Sequence, residues 1–216
     1  MSKNVLVILS GCGVYDGTEI HEAVISILAL ARAGANITYA APNRTQMHVI
    51  NHASGEVMNE QRNVLVEAAR ISRGNIHDLA KIDVTNFDAL FLPGGFGAAK
   101  NLCTFATEGP NCSIDADVER TLQAFHRANK PIGAVCISPA VVVRALGDVT
   151  VTIGSDAGTA EGLAAMGGHH ENHDVRECHV DTRNKIVTAP AYMIDTGIAE
   201  VAVGIEAAVQ ELLNIA

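Results

Sequence analysis

Short apolar runs alternate with longer amphipathic segments along most of the chain. The apolar runs are rich in β-branched residues and lie at 4–9, 36–41, 89–92, 131–135 and 149–153. Runs of this kind are typical of strands that are buried on both faces. The longer segments carry apolar residues at helical spacing and lie at 20–33, 63–72, 114–128 and 198–213. The alternation predicts βαβ units, and therefore an α/β fold with a mostly parallel sheet.

Polar segments mark the boundaries of these elements. Ser113 precedes the third predicted helix, where its hydroxyl group is expected to cap the first turn. Near the end of the chain, predicted strands at 175–180 and 186–188 flank the polar sequence DTRNK, which indicates a β-hairpin. Segments 43–61 and 107–113 interrupt the pattern and are interpreted as insertions, which either carry specificity contacts or only decorate the surface.

Composition predicts one domain, and the net charge excludes some classes of binding partner. The 216 residues are 48% hydrophobic, and no Pro/Gly/Ser-rich linker divides them, so we predict a single domain spanning 1–216. The net charge is -9, and no cluster of lysine and arginine forms a local exception. Because this charge opposes phosphate groups, we expect neither nucleic acid nor an anionic membrane as a partner.

The cysteines and the N-terminal segment bear on the compartment. The five cysteines are an odd number and none stands in a CxxC pair, so we expect reduced thiols and no tetrathiolate zinc site. The apolar run at the N-terminus is too short for a signal peptide or a membrane-spanning helix. These features together predict a cytoplasmic location.

The sequence GAVCISPA places Cys136 directly after a predicted strand. Small residues stand two positions before and after it, as the crowded strand-turn-helix of a nucleophile elbow requires. Pro139 would occupy the first turn of the following helix. The positive end of that helix would lower the pKa of the thiol. A buried cysteine that only fills space is the alternative interpretation.

Two further strand ends carry groups that fit this chemistry. The sequence LPGGFG, 92–97, has glycines that would let backbone N–H groups face an oxyanion, although a tight turn alone would also explain them. Glu19 and Glu22 lie three residues apart at the start of the first helix. One of them is expected to contact Cys136 as an acid or base, while at least one stabilises the helix N-terminus.

Two other patterns carry weaker signals. The Gly11-x-Gly13 start of SGCGVYDGTEIHE resembles a dinucleotide fingerprint, but Asp16 stands at the third glycine position. A histidine tract near the C-terminus lacks the HExxH arrangement of a helical zinc site. Its members are His169, His170, His173 and His179, with Cys178 beside the last. We therefore predict neither a cofactor nor a metal.

Four segments together resemble the ElbB family of isoprenoid-biosynthesis or lycopene-enhancing proteins. They are VLVILSGCGVYDGTEIHEAV, LPGGFGAAKNL, GAVCISPA and NKIVTAPAYM. This family belongs to the PfpI-like, class I glutamine amidotransferase-like superfamily. The resemblance runs nearly end to end and implies a flavodoxin-like, doubly wound sandwich, a homodimer and a glyoxalase activity that converts glyoxal to glycolate without a cofactor.

The resemblance also implies roles for individual residues. Cys136 matches the nucleophile, Glu22 matches the superfamily carboxylate, and Gly95 and Ile137 match the backbone donors of the oxyanion hole. PfpI-like proteases carry histidine immediately after the cysteine, where this chain has Ile137. The His-Pro-Glu of glutamine amidotransferases is replaced by His-His-Glu at 169–171.

Three functions follow from these residues. In the first, Cys136 adds to glyoxal and Glu22 transfers the protons. In the second, the same thiol senses redox state, or the protein regulates isoprenoid flux without catalysis. In the third, the chain is an amidohydrolase or amidotransferase subunit, which requires a histidine within hydrogen-bond reach of Cys136.

Overall fold

The computed structural model describes residues 2–216. Its strands are β1 (Asn4–Ile8), β2 (Asn36–Ala41), β3 (His77–Asp78), β4 (Ala89–Leu92), β5 (Ile132–Val135), β6 (Thr150–Val151), β7 (His169–His170), β8 (His179–Asp181) and β9 (Ile186–Ala189). Its helices are α1 (Ile20–Arg32), α2 (Val64–Ala68), α3 (Phe105–Glu108), α4 (Ala116–Arg127), α5 (Pro139–Leu146), α6 (Ala157–Ala165) and α7 (Ile198–Asn214).

The main sheet has the strand order β3-β2-β1-β4-β5-β9-β8. Its neighbouring strands are parallel except β8, which runs antiparallel to β9. β6 and β7 form a separate parallel pair. Since β1, β4 and β5 lie next to one another, their carboxyl ends bring the loops after them to one edge of the sheet.

Helices cover both faces of the sheet. Alternate residues of the same strands belong to two hydrophobic clusters, as shown by Leu90 in one and Phe91 in the other. The first cluster includes α4 and α5 through Leu122 and Val142. The second includes α1 and α7 through Leu30 and Ile205. The expected doubly wound α/β sandwich of the flavodoxin-like type is confirmed.

Several predicted elements have different boundaries in the structure. The run at 149–153 contributes only β6, which pairs with β7 outside the main sheet. The hairpin before β9 has its first strand at His179–Asp181 instead of 175–180. The helix predicted at 63–72 ends at Ala68, and the chain then turns through Arg73 and Gly74, both with positive φ. β3, β7, α3 and α6 were not predicted.

The expected helix cap at Ser113 is wrong. α4 begins two residues later than predicted, and its cap is Asp115, whose carboxylate accepts hydrogen bonds from the backbone N–H groups of Asp117 and Val118. Ser113 instead bonds to Thr104 across the preceding loop. A carboxylate that reaches two free N–H groups is the better cap, because it also meets the positive end of the helix dipole.

Candidate active site

Cys136 stands on a sharp turn between β5 and α5. Its φ of 61° lies in the left-handed region, which is unusual for a residue with a side chain. Its backbone N–H donates to the carbonyl oxygen of Ala189 in β9 at 3.0 Å. The Ser138 hydroxyl group donates to the carbonyl oxygen of Pro93 at 2.6 Å. These bonds hold the strained turn, and the predicted nucleophile elbow is present.

Glu22 is the carboxyl group that meets the thiol. It is fully buried on α1, and its side chain shares a hydrogen bond with Cys136. Oε2 accepts from the backbone N–H of Gly94 at 2.9 Å, and Oε1 accepts from the backbone N–H of Tyr192 at 3.3 Å. The carboxyl group is therefore fixed from three directions.

Glu19 caps the N-terminus of α1, which is the second of the two roles expected for this pair of glutamates. Its Oε2 accepts from the backbone N–H of Glu22 at 2.6 Å and caps α1. Its own backbone N–H donates to the carbonyl oxygen of Gly94 at 2.9 Å. The cap fixes the first turn of α1, and with it the position of Glu22.

The two glycines after β4 let three segments come together. A Cβ atom at Gly94 would lie 2.4 Å from Cys136 Cβ and 2.7 Å from Glu22 Oε2. A Cβ atom at Gly95 would lie 2.3 Å from the backbone nitrogen of Glu19, and its φ of 94° also favours glycine. The turn after β4 therefore excludes side chains at both positions.

The predicted oxyanion donors surround the sulfur atom. The backbone N–H groups of Gly95 and Ile137 both form hydrogen bonds with Cys136, and each favours the thiolate. The structure thus brings together all four residues selected from the sequence. Without substrate, the two N–H groups donate to the sulfur atom. An oxyanion formed on a carbon bonded to this sulfur would lie beside the same two N–H groups.

The expectation of a lowered thiol pKa is wrong for this pair. Burial raises the pKa of Cys136 well above its ordinary value, and the negative charge of Glu22 raises it further. Burial also raises the pKa of Glu22 to about 7, with the nearby charge of Glu19 adding to the effect. Desolvation and repulsion between the two acids outweigh the helix dipole and the two N–H groups. Near neutral pH the thiol therefore keeps its proton, and a thiolate forms only when that proton passes to the carboxylate of Glu22.

A cavity of about 540 Å³ opens above the sulfur atom. Cys136 is 7% exposed at its base. The lining is mostly apolar, with polar groups on Glu19, Asp156, Thr159 and Tyr192. Its apolar members are Val14, Phe96, Ala99, Phe105, Ala106, Ile137 and Met193. Among residues 2–216, no histidine lines this cavity.

The histidine tract lies elsewhere. His169 and His170 form β7, and His179 lies on the outer strand β8. Nε2 of His169 is 2.8 Å from Oδ1 of Asp148. None of these side chains reaches the cavity, so the Cys-His pair that amide hydrolysis would require is not formed by the described residues.

The glycine-rich loop after β1 has a packing role. The backbone N–H of Gly97 donates to the carbonyl oxygen of Gly17 at 2.8 Å, and that of Phe96 donates to Val14 at 2.8 Å. Oδ2 of Asp16 accepts from the backbone N–H of Ile50 at 2.7 Å, which ties down insertion 43–61. The glycines thus bring this loop against the turn after β4.

Sequence reasoning missed Tyr192. Its backbone N–H binds Glu22, its ring lines the cavity, and its hydroxyl oxygen is 2.9 Å from Nδ1 of His21. Tyr192 follows β9 in the segment TAPAYM. A search of the residues after every parallel strand, extended to this last one, would have found it.

The chain is similar to known proteins along most of its length. The DJ-1/PfpI family model matches residues 4–191. A Homo sapiens relative, glutamine amidotransferase-like class 1 domain-containing protein 3, mitochondrial, is 48% identical over 99% of this chain and 84% of its own length. The Danio rerio ES1 protein, mitochondrial, is 38% identical over 90% of this chain and 78% of its own length.

A solved structure agrees over the whole length. It is an isoprenoid biosynthesis protein with amidotransferase-like domain from Ehrlichia chaffeensis, with 40% identity, a TM-score of 0.93 and 99% of both chains covered. DJ-1beta of Drosophila melanogaster shares the fold, with a TM-score of 0.56 and 18% identity over 100% of this chain and 96% of its own. By its matched residues and its close relatives, the chain belongs to the DJ-1/PfpI family.

Proposed function

We propose that this protein is a cofactor-independent glyoxalase of the ElbB type, which converts glyoxal to glycolate through Cys136. The single observation that carries the proposal is Cys136 at the base of the cavity, hydrogen-bonded to the fully buried Glu22, with two backbone N–H groups on the sulfur and no lining histidine among residues 2–216. Addition of a thiolate to an aldehyde needs no protonated leaving group, whereas amide hydrolysis does.

In the first step, the Cys136 proton passes to Glu22 and the thiolate attacks one carbonyl carbon of glyoxal. The new C–S bond leaves a negative oxygen, which takes a proton from Glu22 to give a hemithioacetal. While the charge develops, the N–H groups of Gly95 and Ile137 donate hydrogen bonds to this oxygen instead of to the sulfur. A carboxyl pKa of about 7 suits both transfers, because both protonation states are then accessible near neutrality.

In the second step, the carboxylate of Glu22 removes the hydrogen from the carbon bonded to sulfur. The resulting enediolate takes this proton back from Glu22 on the neighbouring carbon, and the hydroxyl proton of the hemithioacetal moves to the former aldehyde oxygen, which forms the thioester of glycolate. Water then attacks the thioester, the C–S bond breaks, and glycolate and the free thiol are released. Glyoxal and one water give glycolic acid, so neither oxidant nor reductant is consumed.

The test measures steady-state glycolate production from glyoxal. Cys136→Ala should abolish turnover, while Cys12→Ala, which alters a half-buried thiol outside the cavity, should retain it. Glycolate formation that survives Cys136→Ala would contradict the proposal. Wild-type protein without turnover, but with a single reactive thiol at Cys136, would instead favour the redox-sensing alternative.

The amidotransferase alternative has its own test. Because the histidine tract lies away from the cavity, we predict that separate alanine substitutions at four positions keep most of the glyoxalase activity. The positions are His169, His170, His173 and His179. Loss of activity at one of them, with an unchanged melting temperature, would point to a Cys-His pair and against this proposal.

The partners remain predictions. We propose a homodimer in the cytoplasm that binds neither nucleic acid nor membrane. A relation to isoprenoid biosynthesis is supported by similarity to the isoprenoid biosynthesis protein of Ehrlichia chaffeensis. Within residues 2–216, no helix is long and apolar enough to cross a bilayer. Size-exclusion chromatography with light scattering would test the dimer.

A further inference from the structure

Three side chains of the histidine-rich segment converge at a place remote from the cavity. Glu171, His173 and His179 each offer one ligand atom, and these atoms all lie within 4.8 Å of one another. Nδ1 of His179 is 3.4 Å from Oε2 of Glu171, and the two imidazole rings meet edge to face with centroids 5.3 Å apart. Two imidazoles and a carboxylate therefore share one small volume.

These separations are close to those of a coordinated ion. Two ligands about 2.1 Å from a tetrahedral zinc ion lie roughly 3.4 Å apart. The Glu171–His179 pair already has this spacing. The Glu171 side chain is 60% exposed, so it can change rotamer and bring its carboxylate closer to the other ligand atoms, which now lie up to 4.8 Å apart.

The surroundings orient the two imidazoles. Nδ1 of His173 is 3.3 Å from the carbonyl oxygen of Glu171, and an N–H donated there leaves Nε2 with a free lone pair. A ligating histidine commonly donates its other nitrogen in this way. His179 is fixed on β8 by its pairing with Thr188 of β9. One ligand is thus anchored in the main sheet, while the others come from the loop after β7.

Unpartnered nitrogens are found in the same segment. Nε2 of His179 and Nε2 of the neighbouring His170 are both buried without a hydrogen-bond partner in the described chain. Buried polar atoms normally have a partner, so these two nitrogens call for an explanation. In His179 this nitrogen is not the ligand atom, because Nδ1 is the atom that faces Glu171, so the site proposed below does not depend on it.

We propose that Glu171, His173 and His179 form a site for one divalent transition-metal ion of the Zn²⁺ class. Imidazole with one carboxylate suits Zn²⁺, Ni²⁺ or Cu²⁺, whereas Mg²⁺ and Ca²⁺ prefer oxygen ligands. The site is separate from the chemistry at Cys136. His179 pairs with Thr188, which pairs with Ala134, so two strand spacings of about 4.8 Å lie between the site and β5.

An ion at this site would join two parts of the fold. Glu171 and His173 follow β7 of the small sheet, and His179 belongs to the main sheet. The bound ion would therefore clamp the loop 171–178 between them. Its expected effect is on stability and not on turnover.

The test titrates tag-free protein with Zn²⁺, and with Co²⁺ as a spectroscopic probe, in a Cys136→Ala background that removes the active-site thiol as a competing ligand. We expect one ion per chain and a rise in melting temperature on binding. Glu171→Gln and His173→Ala should each weaken the affinity about tenfold or more, because each removes a ligand. Both side chains lie outside the core, so folding is not at stake.

His169→Ala is the matched control. It removes an exposed imidazole of the same tract, which faces Asp148 and not the three ligands. Binding should be unchanged in this variant. The proposal is overturned if no saturable binding of one ion occurs, or if Glu171→Gln and His173→Ala bind as the His169→Ala control does.

Discussion

Cys136 and Glu22 act as one acid pair: burial and the charge of Glu22 raise the pKa of the thiol, while burial and the charge of Glu19 raise the pKa of Glu22 against the lowering effect of its hydrogen bond with Cys136. The elbow spacing selected Cys136 from the sequence, whereas the residue pattern left Glu19 and Glu22 open and only the family resemblance pointed to Glu22. The protonation state was not predictable in the same way. It depends on the depth of burial, which the sequence pattern of the elbow does not report, and the helix dipole alone gave the wrong direction.

Glu22→Gln separates the two effects of this carboxyl group. Turnover of glyoxal should fall roughly a hundredfold, because an amide cannot transfer the proton. The pKa of the Cys136 thiol should fall at the same time, since the charge of Glu22 and its hydrogen bond both raise it. Thiolate absorbance as a function of pH measures the second effect.

Glu19→Gln is the control, since a glutamine oxygen can still cap α1. Its turnover should fall much less than that of Glu22→Gln. Equal losses in the two variants, or a raised thiol pKa in Glu22→Gln, would contradict the assignment.

Gly94→Ala tests the close approach beneath the sulfur. The added methyl group would overlap Cys136 Cβ and Glu22 Oε2, so either the elbow or the start of α1 must move. We expect the free energy of unfolding to fall by about 1–3 kcal/mol and turnover to be lost. Gly197→Ala is the matched control, since nothing lies within 4 Å of the added atom. Chemical denaturation measures the free energy of unfolding of the two variants. Equal values would contradict the close approach of Gly94 to Cys136 and Glu22.

At the scale of elements, long periodic helices and buried apolar strands were predictable, whereas the bounds and pairing of two-residue strands were not. α1, α4 and α7 carry an apolar face over three turns or more, and they were found within a few residues of their real ends. β3, β6 and β7 have two residues each, too few to show a period. Their pairing is decided by what surrounds them. The small sheet, for example, depends on Asp181, whose carboxylate accepts from the backbone N–H of Thr150.

The start of α4 gives a prediction at this scale. Asp115→Ala should lower the free energy of unfolding by about 1 kcal/mol, because two N–H groups of the first turn lose their acceptor. Ser113→Ala should cost less, although the sequence had indicated that residue as the cap. Thermal or urea unfolding of both variants is the measurement. A larger loss for Ser113→Ala would restore the original assignment.

At the scale of the whole molecule, Glu22 links the protonation of the site to the stability of the fold. Its pKa is 4.5 when unperturbed and about 7 in the folded chain, so the folded state holds the proton more tightly. The stabilisation is complete below pH 4.5 and is lost as the pH rises towards 7. The free energy of unfolding should therefore decline over this interval more steeply in the wild type than in Glu22→Gln. Denaturation curves at several pH values test this, and parallel declines would contradict it.

The bonds around the site also set when it can form during synthesis. Glu22 is tied to Gly94, 72 residues away, and to Tyr192, 170 residues away, while Cys136 is held by Ala189. Contacts this distant along the chain form late in folding, because the intervening loops must close first. A nascent chain in which β9 is still inside the ribosome therefore contains Cys136 but cannot yet form its hydrogen bond to Ala189. The contacts that hold Cys136 and Glu22 are complete only after the chain has been made beyond Tyr192.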